Sequence, residues 1–188
     1  MSEPAVEIPG YIAGTWTVDP VHSEVSFVVR HMMVSKVRGR FDKFSATVTT
    51  AEDPLKSSVT ASVDLSSVNT GAPDRDNHIR SADFFHVEQH PTMTFQSTGV
   101  RAHGDHFLLD GDLSIRGTTK PVTLKLEVNG FGPDAYGGTR AGFSATTEIN
   151  RSDWGVSYNG PIPGGGVAVS EKVQISVDIE AVLQKDEG

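Results

Sequence analysis

From Val173 to Leu183 the chain alternates: Val173, Ile175, Val177, Ile179, Ala181 and Leu183 are separated by Gln174, Ser176, Asp178 and Glu180 in the same stretch. A period of two gathers these apolar side chains on one face of an extended strand, whereas a helix would scatter them. The pattern recurs along the chain. It runs through Val122, Leu124, Leu126 and Val128, and through Phe107, Leu109, Leu113 and Ile115. Val25, Phe27, Val29 and His31 form another such face, as do Phe44, Ala46 and Val48, and Val59, Ala61, Val63 and Leu65. Met93 with Phe95, and Ala141, Phe143, Ala145 and Ile149, bring the strand candidates to eight, with a shorter one at Thr15 to Asp19.

One apolar and one polar face in strand after strand excludes a parallel sheet covered by helices on both sides. A sandwich or a closed barrel remains. The turn signals His103-Gly104-Asp105-His106 and Arg116-Gly117-Thr118-Thr119 read as tight hairpins, so the strands they join are antiparallel. Long strands running up and down through short connections favour the barrel. The expected fold is therefore all-β, an extended eight-stranded antiparallel barrel. Its inward faces mix bulky residues with Ala46, Ala61, Gly111, Ala141 and Ala145. Such a mixture suits a ligand cavity and a filled core equally well.

Alternation stops for about 25 residues between Leu65 and Pro91, long for a loop without structure of its own. Asp74-Arg75-Asp76-Asn77 offers helix caps, and Ile79, Ala82 and Phe85 recur at spacing three. The spacing predicts a short helix over Asn77 to Ala82, followed by Phe84 and Phe85, laid across one barrel end as a lid or a plug. Asn159 to Gly166 (NGPIPGGG) reads as loop, and no Gly-Lys-Ser/Thr follows to make it a phosphate cradle.

The chain has 188 residues, no cysteine, and a formal charge of −8 from 24 acidic and 16 basic side chains. Without cysteine there is no disulfide frame, thiolate zinc site or Cys nucleophile. The acidic balance argues against nucleic acid as a partner, and the densest basic stretch, Lys36 to Lys43, is interrupted by apolar residues and Asp42. No apolar run approaches the ~18 residues of a membrane span, so no stable membrane insertion is expected. The opening MSEPAVEIPGYIAGTW lacks a basic start and a continuous apolar stretch, which points to the cytoplasm. Residues 1–14 read as an N-terminal extension, 15–184 as one domain, and 185–188 as a tail.

None of the seven histidines sits in an HExxH pattern, and no metal or cofactor is expected. Asp19, His22 and Ser23 contain the residue types of a nucleophilic triad, but Asp19-Pro20 is turn chemistry and no GxSxG elbow exists. Asp19 and His22 are expected to hydrogen-bond a tight turn between two strands. On the lid, Arg75 and Arg80 would place donors where an acidic head group could lie, or pair with Asp74, Asp76 and Asp83.

Several ordered blocks carry a resemblance. W-T-V-D-P-V-H-S-E-V-S-F-V-V-R-H from Trp16 is followed by V-R-G-R-F-D-K-F-S-A-T-V from Val37. R-D-N-H-I-R-S-A-D-F-F from Arg75, H-P-T-M-T-F-Q-S-T from His90, G-D-L-S-I-R-G-T-T-K-P-V-T-L from Gly111 and E-I-N-R-S-D-W-G from Glu148 come next. Together they resemble the YceI-like family over nearly the whole chain. The resemblance implies a lipocalin-like barrel that holds a long isoprenoid or similar amphiphilic lipid, and a homodimer. His86 stands where an Asp is common, Trp154 where a Phe is common, and the signal peptide of many members is not seen.

Resemblance and alternation together favour a channel. Its wall is expected to include Phe27, Val29, Phe44, Val63 and Phe95, with Leu109, Leu113, Leu124, Phe143 and Ile175 on the later strands. His31, Phe84 and Trp154 complete the binding set, and Arg75, His78 and Arg80 are the expected partners of a polar head. Burial of a tail is worth about 0.8 kcal/mol per methylene, so few polar contacts are needed. The expected function is non-enzymatic carriage or storage of such a lipid. The alternatives are a small-molecule hydrolase or isomerase with a His/carboxylate site at the barrel mouth, and a structural dimer with a filled barrel.

Overall fold

A computed structural model describes residues 7–32, 34–159 and 169–184. The 185–188 tail and all but the first residue of the Asn159–Gly166 loop lie outside the described residues. The chain enters the barrel through β1 (Gly14–Val18) and β2 (Glu24–His31), two halves of one long strand separated by a 3-10 turn at Pro20–His22. Asp19 caps that turn, accepting the Val21 N–H at 3.0 Å and pairing with His22 Nδ1 at 2.8 Å. Ser23 Oγ donates to the Glu180 carbonyl at 3.2 Å. Asp19 and His22 thus serve the turn, as expected, while Ser23 ties it to the strand carrying Glu180.

β3 (Ser35–Phe41) and β4 (Phe44–Thr50) form a second broken strand, β5 (Ser58–Asp64) and β6 (Val68–Asn69) a third. Five unbroken strands follow: β7 (Thr92–His103), β8 (His106–Ile115), β9 (Thr118–Pro133), β10 (Thr139–Asn150) and β11 (Lys172–Leu183). Every pairing is antiparallel, in the order β1-β4-β5-β7-β8-β9-β10-β11, and β11 returns to β1 with Trp16 opposite Leu183. The same edge of β11 also carries β2, with Phe27 opposite Ile175. Eight long strands therefore close a barrel, three of them broken once.

β3 was not anticipated. Its inward positions are Val37, Gly39 and Phe41, and the central glycine hides the alternation. That glycine is required: a Cβ at Gly39 would run into the Phe27 ring lying across it. Gly111 is covered by Phe95 in the same way. The hairpins at Gly104 and Arg116-Gly117 do form, with φ of 62° at Gly104 and of 51° and 76° at Arg116 and Gly117. Positive φ at both central residues marks the Arg116-Gly117 turn as type I′ and positive φ at the first alone marks Gly104-Asp105 as type II′, the two turns that match the right-handed twist of a hairpin. Arg116 accepts that conformation while its Nη1 donates to the Phe84 carbonyl at 2.8 Å, stitching the lid to the hairpin.

The helix, α1, spans Pro73–Arg80 rather than Asn77 to Ala82. Pro73 supplies the pre-set φ and missing N–H that suit a first turn, so the helix starts before the residues expected to cap it. Asp74 and Asp76 lie in its first turn, where the helix dipole favours negative charge. Asp76 is buried and accepts the Thr70 N–H at 2.9 Å, fixing the approach to the helix. Ile79 on α1 and, beyond it, Phe84, Phe85 and Val87 pack on the core of that barrel end, the lid end, which also carries the β2–β3 and β8–β9 hairpins.

At the far end the core centres on Trp16, fully buried, whose Nε1 donates to Thr50 Oγ1 at 2.8 Å. Outside the wall, Arg140 Nη1 bridges Asp19 at 2.8 Å and Glu180 at 2.7 Å, and Nε reaches Asp134 at 3.1 Å. Asp19, His22 and Glu180 lie close enough together to hold a cation, but Arg140 already occupies the centre of that group. The Arg140 guanidinium first, and His22 second, hold the Asp19 carboxyl far below its ordinary range. A depressed folded-state pKa gives stability that is complete above the unfolded value near 4 and is lost as pH falls below it. Accordingly, the melting temperature of Asp19→Asn should lie below that of the parent at pH 7, with the gap closing on acidification below about pH 4. Parallel melting curves across that range would show that the network carries no such linkage.

Candidate functional site

Alternation turns the inner residues of all eight strands into the barrel, and they do not fill it. Phe27, Phe44, Phe95 and Phe143 point inward yet stay only half-buried, which side chains in a filled core do not. They face two chambers that abut at Val25, Met93 and Ile175. The far chamber, about 190 Å³, is walled by apolar residues with a few hydroxyls and contains no charged side chain. The lid-end chamber, about 380 Å³, lies under α1 and the Phe84-Phe85 pair. On β8 the joint lining runs from Phe107 to Ile115. That is about 26 Å along the strand at ~3.3 Å per residue, or about 20 Å along a barrel axis tilted ~40° from it.

Most of the expected wall residues meet here. Phe44, Val63, Phe95, Leu109, Leu113, Leu124 and Phe143 line the far chamber. Phe27, Val29 and His31 line the lid-end chamber with Arg75, His78 and Phe84, and Ile175 lines both. Two residues do not join them. Arg80 turns to the Ser66 carbonyl at 3.2 Å and to Asn77. Trp154 is buried in the core with its Nε1 on the Leu113 carbonyl at 2.8 Å, a wall support rather than a lining.

The polar groups concentrate at the lid end. Arg75 donates from Nε to Thr70 Oγ1 at 2.8 Å and from Nη2 to the Thr70 carbonyl at 2.9 Å, so it is held by the loop and not by an acid. His78 Nε2 pairs with Asp83 at 2.8 Å, and its ring meets Phe84 and Tyr158 edge-on at 5.0 and 5.1 Å between centroids. Arg151 is the residue that sequence reasoning missed. It is 5% exposed and lines the chamber, with Nε on the Ser170 carbonyl at 2.9 Å and Nη1 on the Val156 carbonyl at 2.7 Å. Nη2 reaches the Val169 carbonyl at 3.2 Å, while Glu171 stands 3.9 Å away. Burial pushes the Arg151 pKa down from its ordinary value, against the pull of Glu171. The charged residues lining this chamber, Arg30, Arg75 and Arg151, are all cationic.

A signal for Arg151 was present: Ala141, Phe143, Ala145, Thr147 and Ile149 face inward, and the next position of that parity is Arg151. A cation at an inward position is costly unless bonded, so it marks a site that something holds.

A family profile described as a YceI-like domain matches residues 16–181, from the first barrel strand to the last. The chain belongs to the YceI-like family. Protein YceI of Escherichia coli O157:H7 is 37% identical over 166 residues, covering 87% of this chain and 83% of that protein. A UPF0312 protein of Pseudomonas aeruginosa is 36% identical over 165 residues with the same coverage. Among solved structures, Burkholderia cenocepacia BcnA superposes with a TM-score of 0.76 at 25% identity, over 87% of this chain and 98% of that one. A polyisoprenoid binding domain from Saccharophagus degradans shares the fold at 17% identity, with a TM-score of 0.67 over 92% of this chain and all of the other. His86 has φ of 52°, and Asp, Asn and His are the non-glycine residues that tolerate that region best.

Proposed function

We propose that this YceI-like barrel binds and carries, without chemical conversion, a long isoprenoid or similar amphiphilic lipid. The observation that supports this reading most is the polarity gradient of the interior. The far chamber has no charged lining, and every charged side chain lining the interior lies at the lid end. A tail lies in the far chamber, and a polar head beside Arg75, His78, Tyr158 and Arg151. The polyisoprenoid-binding character of the Saccharophagus domain agrees with that ligand class. Within this reading the protein is homodimeric, as the family resemblance implies.

Among the described residues His78 and Asp83 form the one His/carboxylate pair at the mouth, and an enzymatic reading would use it as a base with its orienting acid. Both are substantially exposed, and the other contacts of the imidazole are the Phe84 and Tyr158 rings. Binding is the reading these surroundings favour.

Protein purified under native conditions from its own cell should release a long-chain lipid that mass spectrometry detects after solvent extraction. A barrel that arrives empty and also refuses a fluorescent long-chain probe would overturn the assignment. Unchanged ligand content in His78→Gln, together with a lost turnover, would favour the enzymatic reading.

A further inference from the structure

The one basic stretch of this acidic chain is a hairpin. Between Val25 and Phe41 there is no Asp or Glu, and the segment holds Arg30, Lys36, Arg38 and Arg40. Pairing of β2 with β3 sets Arg30 opposite Lys36, Val28 opposite Arg38 and Ser26 opposite Arg40, so Lys36, Arg38 and Arg40 share the outer face with Arg30, which also borders the lid-end chamber. All four are exposed. Arg40 pairs with Asp42 at 2.9 Å, but among the described residues the side chains of Arg30, Lys36 and Arg38 have no ionic partner. At the tip, Val34 is 86% exposed and Met32 45%, large apolar groups left open to solvent among the described residues. His31 and Val37 of the same hairpin line the lid-end chamber, which places this surface beside its mouth.

We propose that the β2–β3 hairpin docks the protein on an anionic lipid bilayer. Arg30, Lys36 and Arg38 lie against lipid phosphates, and Met32 and Val34 enter the interfacial layer. With a formal charge of −8 on the whole chain, an anionic surface repels the rest of the molecule and attracts this face. Orientation follows from that contrast, and it turns the chamber mouth toward the membrane. The docking surface goes beyond the proposed carrier role and would give its cargo a path that avoids water.

A second use of these charges is edge protection. Along Ser35–Gly39 the outer edge of β3 has no strand partner among the described residues, since β6 pairs only with Arg40 and Phe41. Charged side chains blunt such an edge against aggregation. Glutamate would blunt it equally well, so charge reversal separates the two roles.

The experiment is co-sedimentation of the full chain with vesicles of phosphatidylcholine alone or mixed equally with phosphatidylglycerol. Binding is expected only to the mixed vesicles, and raising the salt should weaken it. Lys36→Glu with Arg38→Glu should lower it about tenfold or more, with melting and solubility unchanged. Lys36→Gln with Arg38→Gln should give a smaller loss, Met32→Ser with Val34→Ser a further one, and Lys56→Glu at the far end none. Equal binding to both vesicles, no binding to the mixed ones, or binding that survives charge reversal would overturn the proposal. So would a reversal variant that changes oligomeric state without vesicles, which would assign the hairpin to an interface between two copies. Pelleting reports the protein and not its cargo: a chain that pellets as expected but holds no lipid overturns the carrier reading alone.

Discussion

Replacing Arg151 with methionine should lower the stability of the barrel by about 3 kcal/mol, among the largest effects expected of any single substitution here. The guanidinium ties three parts of the lid end together. It joins the turn after β10 to the Val156 carbonyl and to the Val169 and Ser170 carbonyls that lead into β11. Methionine fills much of the volume but leaves the Ser170 and Val156 carbonyls without a donor, while Asn159 still donates to the Val169 carbonyl. Each buried, unpaired polar group costs about 1–3 kcal/mol. For a domain of this size the loss corresponds to a drop in melting temperature of roughly 6–12 °C. Arg151→Lys keeps the charge but concentrates its donors at one point, so it should recover only a minor part. A methionine variant that melts within 2 °C of the parent would show that the three bonds are replaced by water at no cost. Because Arg151 also floors the lid-end chamber, the destabilised variant should lose bound lipid at temperatures where its β-signal is intact.

How much of this could be read from the sequence depends on what each residue's neighbours are. The strands with uninterrupted alternation, such as Val173–Leu183, were legible because one buried face imposes one parity along the whole strand. β3 was hidden because the position that breaks its pattern, Gly39, is set by the Phe27 ring on the adjacent strand, a non-local demand. The helix was displaced by four residues because propensity favours acidic caps, whereas Pro73 and the buried Asp76–Thr70 contact fix where the turn starts. The apolar lining was almost wholly predictable, since lining a channel requires only parity. The polar head region was not. Arg75 and Arg80 lie close together in sequence on one short helix, and only Arg75 reaches the chamber. Within the basic run at Lys36 to Lys43, which argued against nucleic acid as an interrupted cluster, Lys36, Arg38 and Arg40 share one outer face once Val37, Gly39 and Phe41 turn inward, and Asp42 still pairs with Arg40.

Whether the barrel is a container is best decided by filling it. Ala46 and Ala61 sit directly opposite each other on β4 and β5, both line the far chamber, and both are only half-buried. Ala61→Phe should therefore raise the melting temperature or leave it unchanged, because a ring placed in an apolar void gains about 0.5–2 kcal/mol. The same ring should displace about four methylenes of a bound tail, worth about 3 kcal/mol, and so weaken a long-chain probe by more than a hundredfold. Stability and binding move in opposite directions only if the space is real. In a filled core the extra ring would overpack Phe95, which faces Ala61 from β7, and cost about 1–3 kcal/mol. Thermal denaturation and probe titration on Ala61→Phe and Ala46→Phe separate the cases. A lower melting temperature would return the small residues to the role of spacers between large ones, and a retained probe would place the tail elsewhere. Phe95→Ala should enlarge the same chamber, keep the probe and lower the melting temperature, the reverse of what the filling variants do.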